Sequence, residues 1–111
     1  KEKMRKPTSL KFGHRLIKIK YIPHATASRL GFLAEIDTDK NSIRVDKSLD
    51  HPTTLNCIIH EFIHLICDHY SIECSANIEE LFAECGTNGL LDALSQNQKL
   101  LEYLANSLKK D

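Results

Sequence analysis

The chain of 111 residues lacks any apolar run of roughly 18 residues, the length that a membrane-spanning helix requires. It also lacks a hydrophobic signal segment, an internal repeat and a low-complexity segment. We therefore expect a cytoplasmic protein with no membrane association, in which the four cysteines stay reduced instead of forming disulfides. The length suits one domain with a small core.

Lysine and arginine are absent from Ser48 to Gln98, although the formal net charge of the whole chain is zero. Eight acidic residues fall in that region, whereas eight lysines and arginines lie between Lys1 and Lys20. Negative charge favours a divalent cation and a neutral or basic substrate, and it disfavours nucleic acid at the same place. We expect residues 1–9 to form a flexible basic arm and residues 10–111 to form the domain.

The most informative stretch is Cys57 to Cys67, which contains His60-Glu61-x-x-His64 within an apolar run. Helical spacing places His60 and His64 on one face, so both imidazoles can bind a single ion. Glu61 lies beside the first histidine, where it can act on a metal-bound water without being a ligand. His60, Glu61 and His64 lie on the only polar strip of an otherwise apolar helix. Polar side chains buried in this way need a hydrogen-bonding, ionic or metal partner. We therefore favour a metal site over a hydrogen-bonded core cluster.

Hydrophobic periodicity predicts an α+β fold with a small, three-stranded, mainly antiparallel sheet. The strands are predicted at residues 10–22, beginning with a turn at Gly13, at residues 30–37 and at residues 42–46. The last two are expected to form a hairpin. Residues 23–29 are predicted to form a loop.

The sheet is expected to pack on a central helix that carries the histidines and runs from a cap at Asp50 or His51 to about Tyr70. A glutamate-bearing helix should follow, capped by Asn77, and then a C-terminal amphipathic helix around residues 100–108. Two glycines of the glutamate-bearing helix predict a close approach to the central helix: Gly86 and Gly89.

A catalytic zinc typically has three protein ligands, so one acid should join the two histidines. Glu80 is the predicted third ligand because it lies on the small-residue face of its helix, and Glu84 is the predicted acceptor that orients a ligand histidine. Glu79 projects about 100° away from Glu80. Glu80 has a rival role, because Asn77 and Glu80 have the spacing of a capping box.

Two further residues near the motif have open assignments. Asp68, four residues beyond His64, is either an outer acceptor or a replacement ligand if Glu80 caps its helix. Cys67 is either a spare ligand or a core residue, and the second role is preferred because free cysteine is usually buried.

The sequence resembles the compact zincin-type metallopeptidases of phage and mobile elements, relatives of the ImmA/IrrE-like and SprT-like families. The resemblance covers residues 12–97 and is specific at His60 to His64. Looser similarity lies in four segments: residues 31–37, 43–45, 55–59 and 79–90. It implies a zincin-like domain in which zinc is bound by His60, His64 and Glu80, with Glu61 as the catalytic base.

The leading hypothesis is a zinc-dependent metallopeptidase that cleaves a protein or peptide substrate, with Glu61 as general base for a metal-activated water. The candidates for stabilising the oxyanion are Tyr21, His51, Tyr70 and Tyr103. The alternative is a catalytically silent zinc-binding module for protein interaction. Direct DNA contact through the basic N-terminus is a third hypothesis, disfavoured because no recognition helix is apparent. The oligomeric state is left open.

Overall fold

The computed structural model describes residues 4–109 and confirms the α+β class. The first half of the chain forms a sheet interrupted by one short helix, and the second half forms three helices. The strands are β1 (Ser9–Phe12), β2 (Arg15–Ile22), β3 (Ala34–Asp37) and β4 (Ser42–Asp46). The helices are α1 (His24–Leu30), α2 (His51–His69), α3 (Ala76–Gln96) and α4 (Gln98–Ser107).

The sheet has four strands in the order β1-β2-β4-β3, so the predicted number of three strands is wrong. Two of the three strand pairings are antiparallel and one is parallel, so the sheet is mixed. The segment predicted as one strand from residue 10 to 22 is a hairpin, in which Phe12 pairs with Arg15. Gly13 occupies its two-residue turn with φ +60, a conformation that glycine adopts without a steric cost. The predicted hairpin of β3 and β4 is confirmed.

β2 and β4 pair in parallel, which places β4 in the middle of the sheet. The connection between them contains α1, so the predicted loop at residues 23–29 is also wrong. Pro23 precedes the first turn of α1, and Gly31 ends the helix in the left-handed conformation. Proline before a helix and glycine after it are the usual boundary signals, although the helix between them has only seven residues.

The hydrophobic core lies between the sheet and α2. Ile17 and Ile43 are fully buried in the two central strands, and Leu65 is fully buried on the facing side of α2. The remaining members of this cluster are Ile19, Val45 and Ile58. The alternation of buried and exposed residues along β2 directs Ile17 and Ile19 toward α2, as expected for a sheet with one covered face.

α2 and α3 form the helical layer above the sheet. The Asp50 side chain accepts a hydrogen bond from the backbone N–H of Thr53, which confirms the predicted cap of α2, and Tyr70 ends this helix. The predicted cap at Asn77 is wrong, because Ser75 accepts from the backbone N–H of Ile78 and begins α3 two residues earlier. This shift removes the capping-box geometry that would have occupied Glu80.

The two glycines of α3 behave differently. A Cβ atom on Gly86 would lie 3.4 Å from Ile63 Cδ1, so this position packs closely on α2, although against a side chain and not against backbone. A Cβ on Gly89 would meet nothing within 4 Å, so its predicted close approach is wrong. Within residues 4–109, none of the helices combines the length and apolarity that crossing a bilayer requires.

The predicted basic arm is described from Met4 onward, and residues 1–3 lie outside the described residues. The Lys6 ammonium donates a 2.6 Å hydrogen bond to the carbonyl of Leu49, and the Tyr21 hydroxyl donates to the carbonyl of Pro7. Ser9 already belongs to β1, so the sheet begins within the segment assigned to the arm.

Candidate metal centre

The structure brings together the side chains of His60, His64 and Glu80. One ligand atom from each of these residues can be chosen so that all three lie within 4.8 Å of one another. His60 Nε2 lies 2.6 Å from one carboxylate oxygen of Glu80, and His64 Nε2 lies 3.1 Å from the other. The two histidines come from successive turns of α2, whereas the acid comes from the antiparallel partner helix α3. This donor set of two imidazoles and one carboxylate is the set found in one class of catalytic zinc sites.

Both ring nitrogens of His64 face carboxylates. Its Nδ1 lies 2.6 Å from an oxygen of Glu79, and its Nε2 faces Glu80. Burial acts to lower the pKa of His64, but the hydrogen bond to Glu79 and the charges of Glu61 and Glu80 outweigh it, so the pKa is raised. An environment that favours positive charge on this imidazole also favours a metal cation at its Nε2 atom.

Glu79 therefore occupies the position predicted for Glu84. Glu84, the predicted acceptor, is exposed and lies outside the cluster, and the carboxylate at His64 Nδ1 is that of Glu79. The buried residues of α3 are Ala83 and Thr87. Ala83 lies four residues after Glu79 and three after Glu80, so the two acids flank the inward face of α3 from either side. That spacing was the signal in the sequence that could have identified Glu79.

Glu61 reaches from α2 to the edge of the sheet. The backbone N–H of Ile36 in β3 donates a 3.1 Å hydrogen bond to its carboxylate. Burial raises the pKa of Glu61, although the nearby His60 and His64 and the bond from Ile36 act in the opposite direction. Because β3 pairs only with β4, its other edge is unpaired within the sheet and lies beside this carboxylate.

A polar cavity of about 540 Å³ opens next to His64. Cys67 lines it and is nevertheless 96% buried, since only 4% of its surface is exposed, which confirms its assignment as a core residue. Burial, followed by the charge of Glu79, raises the pKa of the Cys67 thiol and disfavours the thiolate that would bind metal. Asp68 lines the same cavity, is half exposed and lies 3.6 Å from Arg15, outside the three-residue cluster. Because Glu80 does not cap its helix, the condition under which Asp68 would replace it is not met, and the outer role of Asp68 stays a prediction.

The four candidates for oxyanion stabilisation are not gathered at this centre. Tyr21 bonds to the carbonyl of Pro7, and His51 lies at the first turn of α2, far along the helix from His64. Tyr70 packs edge-on against Phe12, and Tyr103 is largely exposed on α4.

The chain was compared with protein-family models, with curated proteins and with solved structures, and none of these three comparisons found a match.

Proposed function

We propose that this chain is a zinc-dependent metallopeptidase, with His60, His64 and Glu80 as the metal ligands and Glu61 as the general base. The observation that carries the proposal is the convergence of two Nε2 atoms and one carboxylate from two different helices. Glu61 directly follows His60 in the chain. Its carboxylate accepts a hydrogen bond from β3 of the sheet, which keeps it beside the ligands as a base.

The donor set fits a divalent cation. Three carboxylates, of Glu61, Glu79 and Glu80, surround imidazoles that are each about four-fifths buried, and Lys and Arg are absent from residues 48–98. When bound, zinc lowers the pKa of a coordinated water and polarises a carbonyl group. Glu79 fixes the orientation of the His64 ring through Nδ1, which leaves Nε2 directed toward Glu80.

Glu61 is the residue proposed to move the proton. Its carboxylate is more than half removed from solvent, and burial makes it a stronger base than an exposed glutamate. It accepts a proton from the attacking water and then donates that proton to the amine leaving group. The hydrogen bond from the backbone N–H of Ile36 holds one oxygen of the carboxylate in place, and the second oxygen would accept and donate the proton.

The unpaired edge of β3 favours a peptide as the substrate. An extended chain can add to a sheet edge through main-chain hydrogen bonds, and this edge is in direct contact with Glu61. A peptide paired there would place its backbone carbonyls near the histidines of α2. The acidic surroundings favour a substrate that is neutral or basic near the cleaved bond.

The decisive experiment is Glu61→Gln, tested on zinc-loaded protein with a mixture of unstructured peptides analysed by mass spectrometry. We expect a loss of cleavage of about 100- to 10,000-fold, because the amide cannot accept the proton. Zinc binding should be retained, since Glu61 is not a ligand. Glu84→Gln removes the same charge from an exposed position and should leave cleavage unchanged.

Undiminished cleavage by Glu61→Gln would contradict the proposal. If the zinc-loaded wild-type protein binds peptides but yields no fragments, the chain is a zinc-binding interaction module instead.

A further inference from the structure

Helix α3 presents apolar side chains on two opposite faces. Ala83 and Thr87 are fully buried against the rest of the fold. On the opposite face, Ile78, Leu81 and Phe82 are 59%, 61% and 59% exposed, and Cys85 continues the stripe one turn later. A helix that is apolar on both sides is normally covered on both sides, so this outward face calls for a partner.

Helix α4 also exposes apolar side chains. It is amphipathic, and none of its residues is buried. Leu100, Leu101 and Leu108 are 44%, 41% and 73% exposed. Leu101 and Leu108 are two helical turns apart and so share one side of α4 and its C-terminal cap, which gives a second apolar surface on a helix that contacts α3. We call the two together the α3–α4 face, defined by Ile78, Leu81, Phe82, Cys85, Leu100, Leu101 and Leu108.

The total surface of the chain is larger than its mass predicts. Its accessible area is 8468 Å², whereas a folded monomer of 12.6 kDa exposes about 6,200 Å². The excess is about 2,300 Å² per chain. Obligate homodimers bury about 1,000–2,500 Å² from each chain, so the excess matches what one subunit of such a dimer covers.

We propose that the α3–α4 face is the interface between two copies of this chain. Closed two-fold dimers are the commonest soluble oligomers. In such a dimer, if α3 of the first copy contacts α4 of the second, then α4 of the first copy also contacts α3 of the second. From Ala76 to Gln96, α3 contains four acids and no lysine or arginine, and two of these acids, Glu79 and Glu80, face the histidines. Residues 98–109 contain Lys99, Glu102 and Lys109, a formal net charge of +1. Packing α3 of one copy against α4 of the other would therefore set a negative helix against a weakly positive segment at both contacts.

The dimer would also support the metal centre indirectly. α3 carries Glu79 and Glu80, and it rests on α2 through one face only. A second copy on the outward face would hold the helix from both sides. The proposal does not depend on zinc or on peptide cleavage, because it rests on exposed area, apolar surface and the charges of α3 and α4.

The test is the mass of the zinc-loaded and zinc-free protein in solution at tens of micromolar, by sedimentation equilibrium. We expect twice the chain mass of 12.6 kDa. The double variant Leu81→Glu and Phe82→Glu should sediment as a monomer with an unchanged far-ultraviolet circular dichroism spectrum, since both side chains are exposed in the single chain. Leu16→Glu is the matched control, because Leu16 is 54% exposed on the outer face of the sheet. It should remain a dimer.

A second measurement needs no variant. Cys85 lies on the α3–α4 face, whereas Cys74 is exposed in the loop before α3. Alkylation of Cys85 should slow as protein concentration rises, and alkylation of Cys74 should not. A monomer at all concentrations overturns the proposal, and so does a dimer that survives the double substitution with Cys85 fully reactive.

Discussion

Glu79→Gln should weaken zinc binding although Glu79 is not proposed as a ligand. Its carboxylate lies 2.6 Å from Nδ1 of His64 and is half-buried. Removing an acceptor of this kind typically reduces metal affinity 10- to 100-fold. Glutamine keeps an oxygen that can accept the same hydrogen bond but loses the charge, so we expect the lower end of that range. A tenfold loss corresponds to about 1.4 kcal/mol.

The assay is competition for zinc with a chromophoric chelator, and the matched control is Glu84→Gln. Both residues are glutamates of α3, and both substitutions remove one negative charge, but only Glu79 touches a histidine. We therefore expect Glu84→Gln to retain wild-type affinity. Circular dichroism of the zinc-free variants checks that α3 is intact in each.

The effect should also depend on pH. The bond to Glu79 helps to raise the pKa of His64, so the variant loses its His64 proton more easily than the wild type does. Proton competition therefore weakens zinc binding less in the variant, and the difference in affinity should shrink as the pH falls through the raised pKa of His64 in the wild type, which lies above the ordinary histidine value of about 6.5. Equal affinities for Glu79→Gln and Glu84→Gln at every pH would refute the assigned role of Glu79.

Two further predictions concern stability, measured by urea denaturation. The hydrogen bond from His24, followed by that from the backbone of Ser48, lowers the pKa of Asp46 from 3.8 to about 2. Its stabilising contribution is therefore complete above pH 3.8 and is lost as the pH falls through about 2, so Asp46→Asn should flatten that part of the stability profile. If the variant lost stability at acid pH as steeply as the wild type does, this prediction would be contradicted. Leu65→Ala should cost about 2–5 kcal/mol because Leu65 is fully buried, whereas Leu55→Ala on the exposed side of the same helix should cost much less. Similar costs for the two would mean that the core is not centred on Leu65.

Local sequence patterns correctly predicted those structural features whose determining contacts are close in sequence. Asp50 caps α2 through an N–H three residues away, and the four-residue spacing of His60 and His64 places them on one face of any helix. The α+β class and the β3–β4 hairpin follow from short-range periodicity in the same way.

Tertiary structure decided the features that depend on distant contacts. The parallel pairing of β2 with β4 joins strands separated by α1 and β3, and no local pattern specifies it. Which acids of α3 face His64 depends on the rotation of that helix on α2, which is set by Ala83 and Thr87 against the fold and by the cap at Ser75. The sequence alone therefore determined that two histidines share a face and pointed to Glu80 on the small-residue side of α3. Only the packing of α3 set Glu79 against His64 and left Glu84 in solvent, because the exact rotation of a helix about its axis is fixed by long-range burial.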